Sequence, residues 1–404
     1  MAELGWNIGA LPEGWKAQPI SALCSELVDR IDPASLPREL AAHYVGLEHI
    51  GQGSGRLDGI GSVSDVISQK SRFCSGDILY GKLRPNLRKV ARPAFDGVCS
   101  TDVIVFRAKR PVDPDFLFQV LQSEAVVAHA VATAAGTKMP RTHARSILSF
   151  QIATPPLDEQ RRIAEVLRSV DGAIAAKQFA LSASKKFKRS CREAAVQRLR
   201  SHPRSVLKTV LSSIDAGWSP DCDSEPATDG EWSILKTSAV VWGGYDDSAN
   251  KRLPARFEPR PELEVGADDI LITRAGPAER TGVVTIVRHT AGRRMLSDKI
   301  IRLRACPRKA VPLAIAELLS SDHAQEILSR SKTGMAASQS NISQKILLGL
   351  ELHLPPLADQ SRFADEMAAL QDVIERNEDD LRATIKLKHA LMSDLLSGHV
   401  RVPA

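Results

Sequence analysis

Hydrophobic and polar positions alternate along this chain in two ways. Short runs rich in β-branched and aromatic residues, bounded by Gly, Pro, Asp and Ser, predict strands. Apolar residues at helical spacing predict helices between them, at 114–132 and 312–331. We therefore expect mixed α+β domains. The predicted strands cover residues 44–50, 77–80, 103–107, 233–240, 270–273, 283–288 and 300–304.

An internal repeat organises these elements. TPPLDEQRRIAEVL at 154–167 returns as LPPLADQSRFADEM at 354–367. Earlier landmarks recur in the same order: SGDILYGKLRP with ADDILITRAGP, STDVIVFR with SDKIIRLR, and Gly136 with Gly334. The offset grows from 192 (269 minus 77) to 200 (354 minus 154). The two copies should therefore share a fold but differ in their loops, where recognition residues usually lie.

A long stretch without proline follows each PPL tripeptide, at 158–202 and 358–402. Apolar residues recur there alternately four and three positions apart, which predicts a coiled-coil seam on helices about 60 Å long. The second helix must turn back to bury its seam on the first, so we expect antiparallel pairing. The predicted seam positions are Ile163, Leu167, Val170, Ile174, Lys177, Leu181 and Ser184, then Phe363, Met367, Leu370, Ile374, Asn377, Leu381, Thr384, Leu391 and Leu395.

These observations predict an α+β chain of two similar mixed α/β domains, 1–156 and 201–356, separated by helices 157–200 and 357–398. The two copies would be related by an approximate twofold axis. Lys177 and Asn377 occupy equivalent seam positions near mid-helix, and we expect them to lie close together as a polar break that fixes the register of the coiled coil.

Composition places the chain among ordinary globular proteins, with 43% hydrophobic and 25% charged residues. No run of roughly 18 apolar residues predicts a membrane span, and the first residues do not resemble an export signal. The six cysteines form no C-x-x-C pair, which disfavours a disulfide framework or a zinc site. We expect a cytoplasmic protein.

Basic residues cluster in two places on a chain of net charge +6. The first cluster, at 82–92, is interrupted by Pro85 and Asn86 and contains no acid, which indicates a basic loop. The second, at 185–204, has eight basic residues and one acid, and it fits a solvated helix face as well as a polyanion-binding one.

The common catalytic motifs are missing from the sequence. There is no phosphate-binding G-x-x-x-x-G-K-[ST], no Asn-Pro-Pro-aromatic or Asp-Pro-Pro-aromatic tetrapeptide and no H-E-x-x-H. GQGSG at 51–55 precedes no helix pattern, so a flexible loop is a better interpretation than a nucleotide cradle. The acidic pairs at 268–269 and 379–380 are interpreted as strand-entry or helix-surface residues and not as metal ligands. We expect a chain without a catalytic site, metal site or cofactor.

Five motifs in order resemble the specificity subunits of type I restriction-modification systems. They are LPEGW (11–15), GDILYGKLRP (76–85), GTKMPR (136–141), PPLDEQRRIAEVL (155–167) and LKHALMSDLLSGHVRV (387–402). The resemblance implies two target recognition domains that each read one half of a bipartite site on double-stranded DNA. It also implies docking to methyltransferase and restriction or translocase subunits, which would carry S-adenosylmethionine, ATP and Mg. Because DILITRAGP and GMAASQSNIS replace DILYGKLRP and GTKMPRTHAR in the second copy, the target should be asymmetric.

Side-chain chemistry selects the predicted DNA contacts. The cations that follow the predicted strand at 77–80 suit phosphates. The amides, hydroxyls and forked cations in the loops at Gly136 and Gly334 suit base edges. The alternative for each is an ordinary surface residue. The candidates are Lys82, Arg84, Arg88, Lys89, Thr137, Lys138 and Arg141 in the first copy, and Arg274, Arg280, Lys332, Thr333, Ser338, Gln339 and Asn341 in the second.

Two other functions stay open from the sequence. One is a stand-alone nuclease with duplicated domains, which the missing motifs oppose. The other is a coiled-coil adaptor of a related phage-defence system, which would not bind DNA. Unchanged DNA affinity after neutralising Lys82, Arg84, Arg88 and Lys89 together would favour the adaptor.

Overall fold

A computed structural model describes residues 11–33, 43–336 and 339–402. Its internal contacts divide the chain into two compact units. Unit 1 comprises Met1–Gln178 together with Asp380–Ala404, and unit 2 comprises Phe179–Asp379. Each unit therefore contains one copy of the repeated domain and a part of each long helix.

Unit 1 is built on two four-stranded sheets and a strand pair. The elements are β1 (Lys16–Pro19), α1 (Ile20–Leu23), β2 (Cys24–Leu27), β3 (Arg30–Ile31), β4 (Tyr44–Val45), β5 (Lys70–Phe73), β6 (Ile78–Gly81), β7 (Val90–Ala91), β8 (Gly97–Cys99), β9 (Val103–Ala108), α2 (Pro114–Gln122), α3 (Glu124–Ala132), α4 (Ala144–Leu148), β10 (Gln151–Thr154) and the long helix α5 (Leu157–Leu199). One sheet has the antiparallel order β2-β9-β6-β7. The other has the order β3-β5-β8-β4, in which β4 and β8 are parallel. β1 pairs with β10.

Unit 2 repeats the first sheet and the strand pair with its own elements. These are β11 (Arg204–Val206), β12 (Leu211–Ala216), β13 (Ser233–Leu235), β14 (Val240–Val241), β15 (Gly244–Tyr245), β16 (Asn250–Arg252), β17 (Ile270–Thr273), β18 (Ala275–Gly276), β19 (Val284–Ile286), β20 (Arg294–Met295), β21 (Ile300–Ala305), α6 (Pro312–Leu319), α7 (Asp322–Arg330), β22 (Thr333–Ala336), β23 (Gln339–Asn341), α8 (Gln344–Leu348), β24 (Glu351–His353) and the long helix α9 (Leu357–Ser397). The sheet β12-β21-β17-β19 corresponds to β2-β9-β6-β7, and the pair β11-β24 to β1-β10. Further strands form β16-β13-β20, β18-β23-β22 and β14-β15.

Two predicted strands are wrong in their length. The segment predicted as a strand at 44–50 contains only the two residues of β4, followed by a 3-10 turn over Leu47–His49. The segment at 233–240 is broken in the same way by the turn Thr237–Ala239. Each turn closes through hydrogen bonds three residues apart, which a run of alternating apolar residues does not reveal.

The single helix predicted in each repeat, at 114–132 and at 312–331, is divided into two helices at serine. Ser123 ends α2 and begins α3, and Ser321 begins α7 after α6. The Ser123 hydroxyl donates to the Val120 carbonyl at 2.7 Å and accepts from the Val126 amide at 3.4 Å. One side chain thus stabilises the end of one helix and the start of the next, which is the usual role of a capping serine.

Both long helices contribute side chains to the core of each unit. In unit 1, Ile163 and Leu167 of α5 and Met392 of α9 join Phe106 and Phe116 in one buried cluster. The unit 2 cluster likewise takes its members from both long helices, among them Ala195, Phe363 and Met367. Burial of apolar side chains stabilises by roughly 1.5 to 3 kcal/mol for each large residue. The seam is therefore part of each core.

Polar contacts show that the long helices run antiparallel within each unit. In unit 1, Asp171 of α5 contacts Lys388 of α9 at 2.6 Å, while Lys177 contacts Asp380. In unit 2 the residue number on α9 also falls as the residue number on α5 rises. Lys185 contacts Glu378 at 2.6 Å, and Lys188 contacts Gln371 at 2.9 Å. The predicted antiparallel pairing and the α+β fold class are confirmed.

The predicted proximity of Lys177 and Asn377 stays a prediction. Lys177 belongs to unit 1 and forms an ion pair there with Asp380. Asn377 belongs to unit 2, where its amide donates to the Ser184 hydroxyl at 3.0 Å. Each residue therefore has a polar partner on the opposite helix of its own unit.

A buried carboxylate joins the first and last described segments of unit 1. Glu159 at the start of α5 is 2% exposed. Its carboxylate accepts a hydrogen bond from the Trp15 indole N–H at 3.0 Å. It also forms a bidentate ion pair with the Arg401 guanidinium, with distances of 2.5 and 2.7 Å. Charge-assisted bidentate pairs of this kind are strong and geometrically specific. The LPEGW motif therefore anchors the residues that follow α9.

Candidate nucleic-acid interface

The basic loop of unit 1 has a fixed backbone. It covers residues 82–89 after β6 and contains a 3-10 turn over Pro85–Leu87. Arg84 and Arg88 flank the turn, and both have φ of 50°. Positive φ is uncommon for residues other than glycine and persists only where the surroundings impose it. The direction in which this loop presents its side chains is therefore set before any ligand binds.

A second loop, at residues 136–142, is hydrogen-bonded to the basic loop. The Arg84 amide donates to the Pro140 carbonyl at 2.8 Å, and the Thr142 amide donates to the Lys82 carbonyl at 3.0 Å. Leu83 and Arg141 form an antiparallel bridge between them. The predicted contacts of the first copy therefore lie on two joined loops. They are Lys82, Arg84, Arg88, Lys89, Thr137, Lys138 and Arg141.

Four of these cations already have protein partners. Lys82 donates to the Thr101 carbonyl at 2.7 Å, and Lys89 donates to the Leu47 carbonyl. Arg88 forms an ion pair with Glu124. Arg141 pairs with Asp102 at 2.8 Å. These contacts hold the two loops in place.

Arg84, Thr137 and Lys138 are exposed. None of the three has a hydrogen bond, ion pair or other polar contact through its side chain to any residue that the structure describes. In an otherwise well-connected pair of loops, these side chains are available to an external ligand. Two of them are cationic and suit phosphate oxygens.

Unit 2 joins the counterpart of the basic loop, residues 274–282 after β17, to β22 and β23 by strand pairing. This counterpart is called the basic loop of unit 2. β18 pairs with β23, aligning Ala275 with Asn341, and the Ile342 amide donates to the Arg274 carbonyl at 2.8 Å. β22 pairs with the same strand and aligns Thr333 with Asn341. Three predicted residues of the second copy therefore lie side by side: Arg274, Thr333 and Asn341.

The other second-copy candidates are placed differently. Arg280 donates to the Thr237 carbonyl at 3.1 Å, and Lys332 donates to the Ala278 carbonyl at 2.7 Å. Burial lowers the pKa of Lys332 below its ordinary value, with Glu279 opposing the shift. Both cations therefore support the loop backbone. Ser338 lies outside the described residues, and only the backbone of Gln339 is described.

Sequence reasoning missed a hairpin beside each basic loop. In unit 1 the hairpin spans residues 49–58, closed by a hydrogen bond of 2.8 Å from the Asp58 amide to the His49 carbonyl. In unit 2 it spans 239–246, with the equivalent bond from Asp246 to Ala239 at 2.9 Å. The GQGSG segment, interpreted above as a flexible loop, is the hydrogen-bonded tip of the first hairpin. Its glycines were the available signal.

Two other properties concern the described parts of the chain. None of the helices there is both long and apolar enough to span a membrane. Within residues 11–33, 43–336 and 339–402, no three His, Cys, Asp or Glu side chains are grouped as metal ligands would be. The candidate functional features of the described residues are therefore the cationic and polar loops that follow the sheet strands.

Comparison with known proteins agrees with the resemblance drawn from the motifs. Residues 44–183 match the family model described as the type I restriction modification DNA specificity domain. The EcoEI type I restriction enzyme specificity subunit of Escherichia coli is 40% identical over 185 residues, which are 46% of this chain and 30% of that protein. This chain thus spans less than a third of the EcoEI subunit in that match.

Two further matches extend over nearly the full chain. The putative MjaX type I restriction enzyme specificity subunit of Methanocaldococcus jannaschii is 21% identical over 98% of this chain and 96% of its own length. The solved structure of the type I restriction-modification S subunit from M. genitalium is 14% identical, covers 96% of this chain and 97% of that chain, and has a TM-score of 0.55. The chain is therefore similar to type I restriction-modification specificity subunits, and its residues 44–183 match the DNA specificity domain of that family.

Proposed function

We propose that this chain is the DNA sequence-recognition subunit of a type I restriction-modification complex. The observation that carries the proposal is the pair of joined loops that follows the equivalent sheet strands β6 and β17 in both units. Each pair combines cations with hydroxyl or amide groups, the side chains that bind phosphates and base edges. Each unit would read one half of a bipartite site.

The difference between the two loop pairs favours an asymmetric site. Unit 1 presents Arg84, Thr137 and Lys138, whose side chains have no polar partner among the described residues. Unit 2 aligns Thr333 with Asn341 beside Arg274. A forked cation suits guanine, whereas an amide suits adenine. Two such surfaces would select different base sequences.

Methylation and cleavage would then take place on partner subunits. The chain would dock methyltransferase subunits that bind S-adenosylmethionine, and restriction or translocase subunits that use ATP and Mg would join the larger complex. In this arrangement the present chain contributes the choice of site and no catalytic residue. Its position in the complex would determine where on the duplex the partners act.

The test is DNA binding by the full-length chain at several salt concentrations. Replacing Lys82, Arg84, Arg88 and Lys89 by alanine together should lower affinity for every duplex and reduce the slope of log affinity against log salt by about 3 to 4, at about 0.9 per phosphate contact. A control variant removes four other unit 1 cations and should keep the slope. Those cations are Lys16, Lys109, Arg110 and Arg161.

Two results would contradict the proposal. If the wild-type chain, alone and with its methyltransferase subunits, shows no preference among duplex sequences, it does not recognise a site. If the basic-loop variant keeps both the affinity and the salt slope of the wild type, the loop does not contact phosphates and a coiled-coil adaptor becomes the better interpretation.

A further inference from the structure

Each unit places a short hairpin against its basic loop, named here the tip hairpin (residues 49–58 in unit 1 and 239–246 in unit 2). A 3-10 turn comes immediately before each tip, at Leu47–His49 and Thr237–Ala239. A glycine with positive φ then occupies the same position in both hairpins, Gly53 at 63° and Gly243 at 74°. The tips are thus structurally equivalent at an offset of 190 residues (243 minus 53).

A cation from the basic loop holds each tip hairpin. In unit 1 the Lys89 ammonium donates to the Leu47 carbonyl, and the Gly53 amide donates to the Arg88 carbonyl at 3.2 Å. In unit 2 the Arg280 guanidinium donates to the carbonyl of Thr237, the residue equivalent to Leu47. The tip hairpin and the basic loop therefore form one surface in both units.

Side-chain and steric contacts further fix the unit 1 tip. Arg56 donates to the Asp171 carbonyl of α5 at 3.0 Å. A Cβ added to Gly55 would lie 2.7 Å from the Gln122 side-chain oxygen. Gly55 also has a φ of 69°, a backbone conformation that favours glycine. This glycine of the GQGSG segment therefore has a structural role in the turn.

One position on each tip presents a different side chain to solvent. It immediately precedes the positive-φ glycine and is Gln52 in unit 1 and Trp242 in unit 2. Gln52 is exposed, and its side-chain amide has no partner among the described residues. Trp242 is 52% exposed. Because Trp is enriched at interfaces, a half-exposed Trp on a turn beside a cationic loop is a candidate contact for a ligand.

We propose that Gln52 and Trp242 are specificity-determining residues, each contacting a base pair in the half site read by its own unit. This inference rests on the proposed function. A Gln amide pairs with the adenine N6 and N7 groups, and a Trp ring packs against a thymine methyl group or an unstacked base. DNA is the occupant that fits because cations of the basic loop adjoin each tip: Lys89 and Arg88 in unit 1, and Arg280 in unit 2.

The experiment is selection from randomised duplex DNA with the full-length chain, repeated for Gln52→Ala and Trp242→Ala. Each variant should lose preference at one or two base pairs of one half site and keep the preferences of the other half. Affinity for the wild-type site should fall roughly 5- to 100-fold, as for a mismatched base pair. The salt slope should not change, because neither residue is charged.

Controls separate this inference from folding and from the proposed function. Ile67→Ala removes a side chain that is 96% exposed elsewhere in unit 1 and should leave the selected sequence unchanged. Trp242→Phe keeps an aromatic ring and should retain part of the lost preference. Thermal unfolding of each variant identifies any that fail to fold, and such a variant is replaced by Gln52→Glu or Trp242→His in the same selection.

The outcomes are distinct. If the wild-type chain selects no sequence, the proposed function fails. If the wild-type chain selects a bipartite site and both folded tip variants select the same site with the same affinity, the tip inference alone is wrong. Loss of methyltransferase-subunit binding with an unchanged selected sequence would also overturn it, because the tips would then contact a protein.

Discussion

Lys188 and Glu317 form an ion pair inside unit 2, with 2.7 Å between ammonium and carboxylate and side-chain exposures of 9% and 7%. Unit 1 has an equivalent lysine, Lys388, but its acid lies on the long helix, at Asp171. The positions of acid and amide are exchanged. Gln119 of α2 donates to Asp171 at 2.9 Å in unit 1, whereas in unit 2 the acid is on α6 and the long-helix amide Gln371 accepts from Lys188. In each unit an acid thus neutralises one seam lysine, but that acid lies on α5 in unit 1 and on α6 in unit 2.

The buried pair predicts how unit 2 responds to single and double substitutions. Glu317→Leu should destabilise the unit by about 3 kcal/mol, because Lys188 would stay buried without an acid. The double variant Lys188→Met with Glu317→Leu should recover most of that loss, because Arg192, which also contacts Glu317 at 3.4 Å, keeps Glu193 as an acidic partner at 3.3 Å. Chemical denaturation of the full chain measures both. A double variant no more stable than the single one would contradict this account.

Removal of the Arg401 guanidinium should destabilise unit 1. Arg401→Ala removes the bidentate cation from the buried Glu159 carboxylate, and among the described residues the Trp15 indole is the partner that remains. The unfolding temperature of unit 1 should therefore fall measurably. Arg161→Ala is the matched control, because the acid that Arg161 contacts within the described residues is the exposed Asp158. Equal unfolding temperatures for the two variants would show that the ion pair between Arg401 and Glu159 contributes nothing to stability.

The exposed and the engaged cations of unit 1 should behave differently. Arg84→Ala with Lys138→Ala should reduce the salt slope of DNA binding by about 2 and leave unfolding free energy within about 0.5 kcal/mol of the wild type. Arg88→Ala with Lys89→Ala should lower stability as well, because Arg88 pairs with Glu124 and Lys89 holds the tip hairpin. If neither pair of substitutions changes the slope, phosphate contacts lie elsewhere.

Acid should weaken unit 1 through His389. Burial lowers the pKa of His389 below 6.5, and the nearby Arg88 and Lys388 lower it further while Glu124 opposes them. The folded state therefore binds this proton less readily than the unfolded chain, so the histidine contributes no penalty above pH 6.5 and destabilises as the pH falls below it. His389→Gln should flatten that part of the stability profile. An unchanged profile between pH 5 and 7 would contradict the assignment.

The repeat and the heptad pattern predicted most of the architecture. Seam positions such as Ile163, Leu167 and Phe363 are buried because the 4-3 spacing matches one face of a helix, whatever lies opposite. Lys188 continues the same spacing four residues after Ser184. The solvated helix face considered for the basic run at 185–204 is therefore wrong for that residue, and the heptad extended by one step would have placed it in the seam.

The parts that sequence did not reveal depend on contacts between distant segments. The tip hairpins are held by Lys89 and Arg280, whose partners are backbone carbonyls about 40 residues away. A carbonyl is common to every residue, so no side-chain pattern marks such a contact. For the same reason the sequence does not reveal that the Lys332 ammonium donates to the Ala278 carbonyl.

The distribution of unit 1 over both ends of the chain affects how it is made. Met392, Leu395 and Leu396 belong to its core, yet the ribosome synthesises them after the whole of unit 2. A nascent chain therefore exposes an incomplete apolar surface on unit 1 until α9 has been synthesised. A product that stops before α9 would keep that surface open to chaperones and proteases.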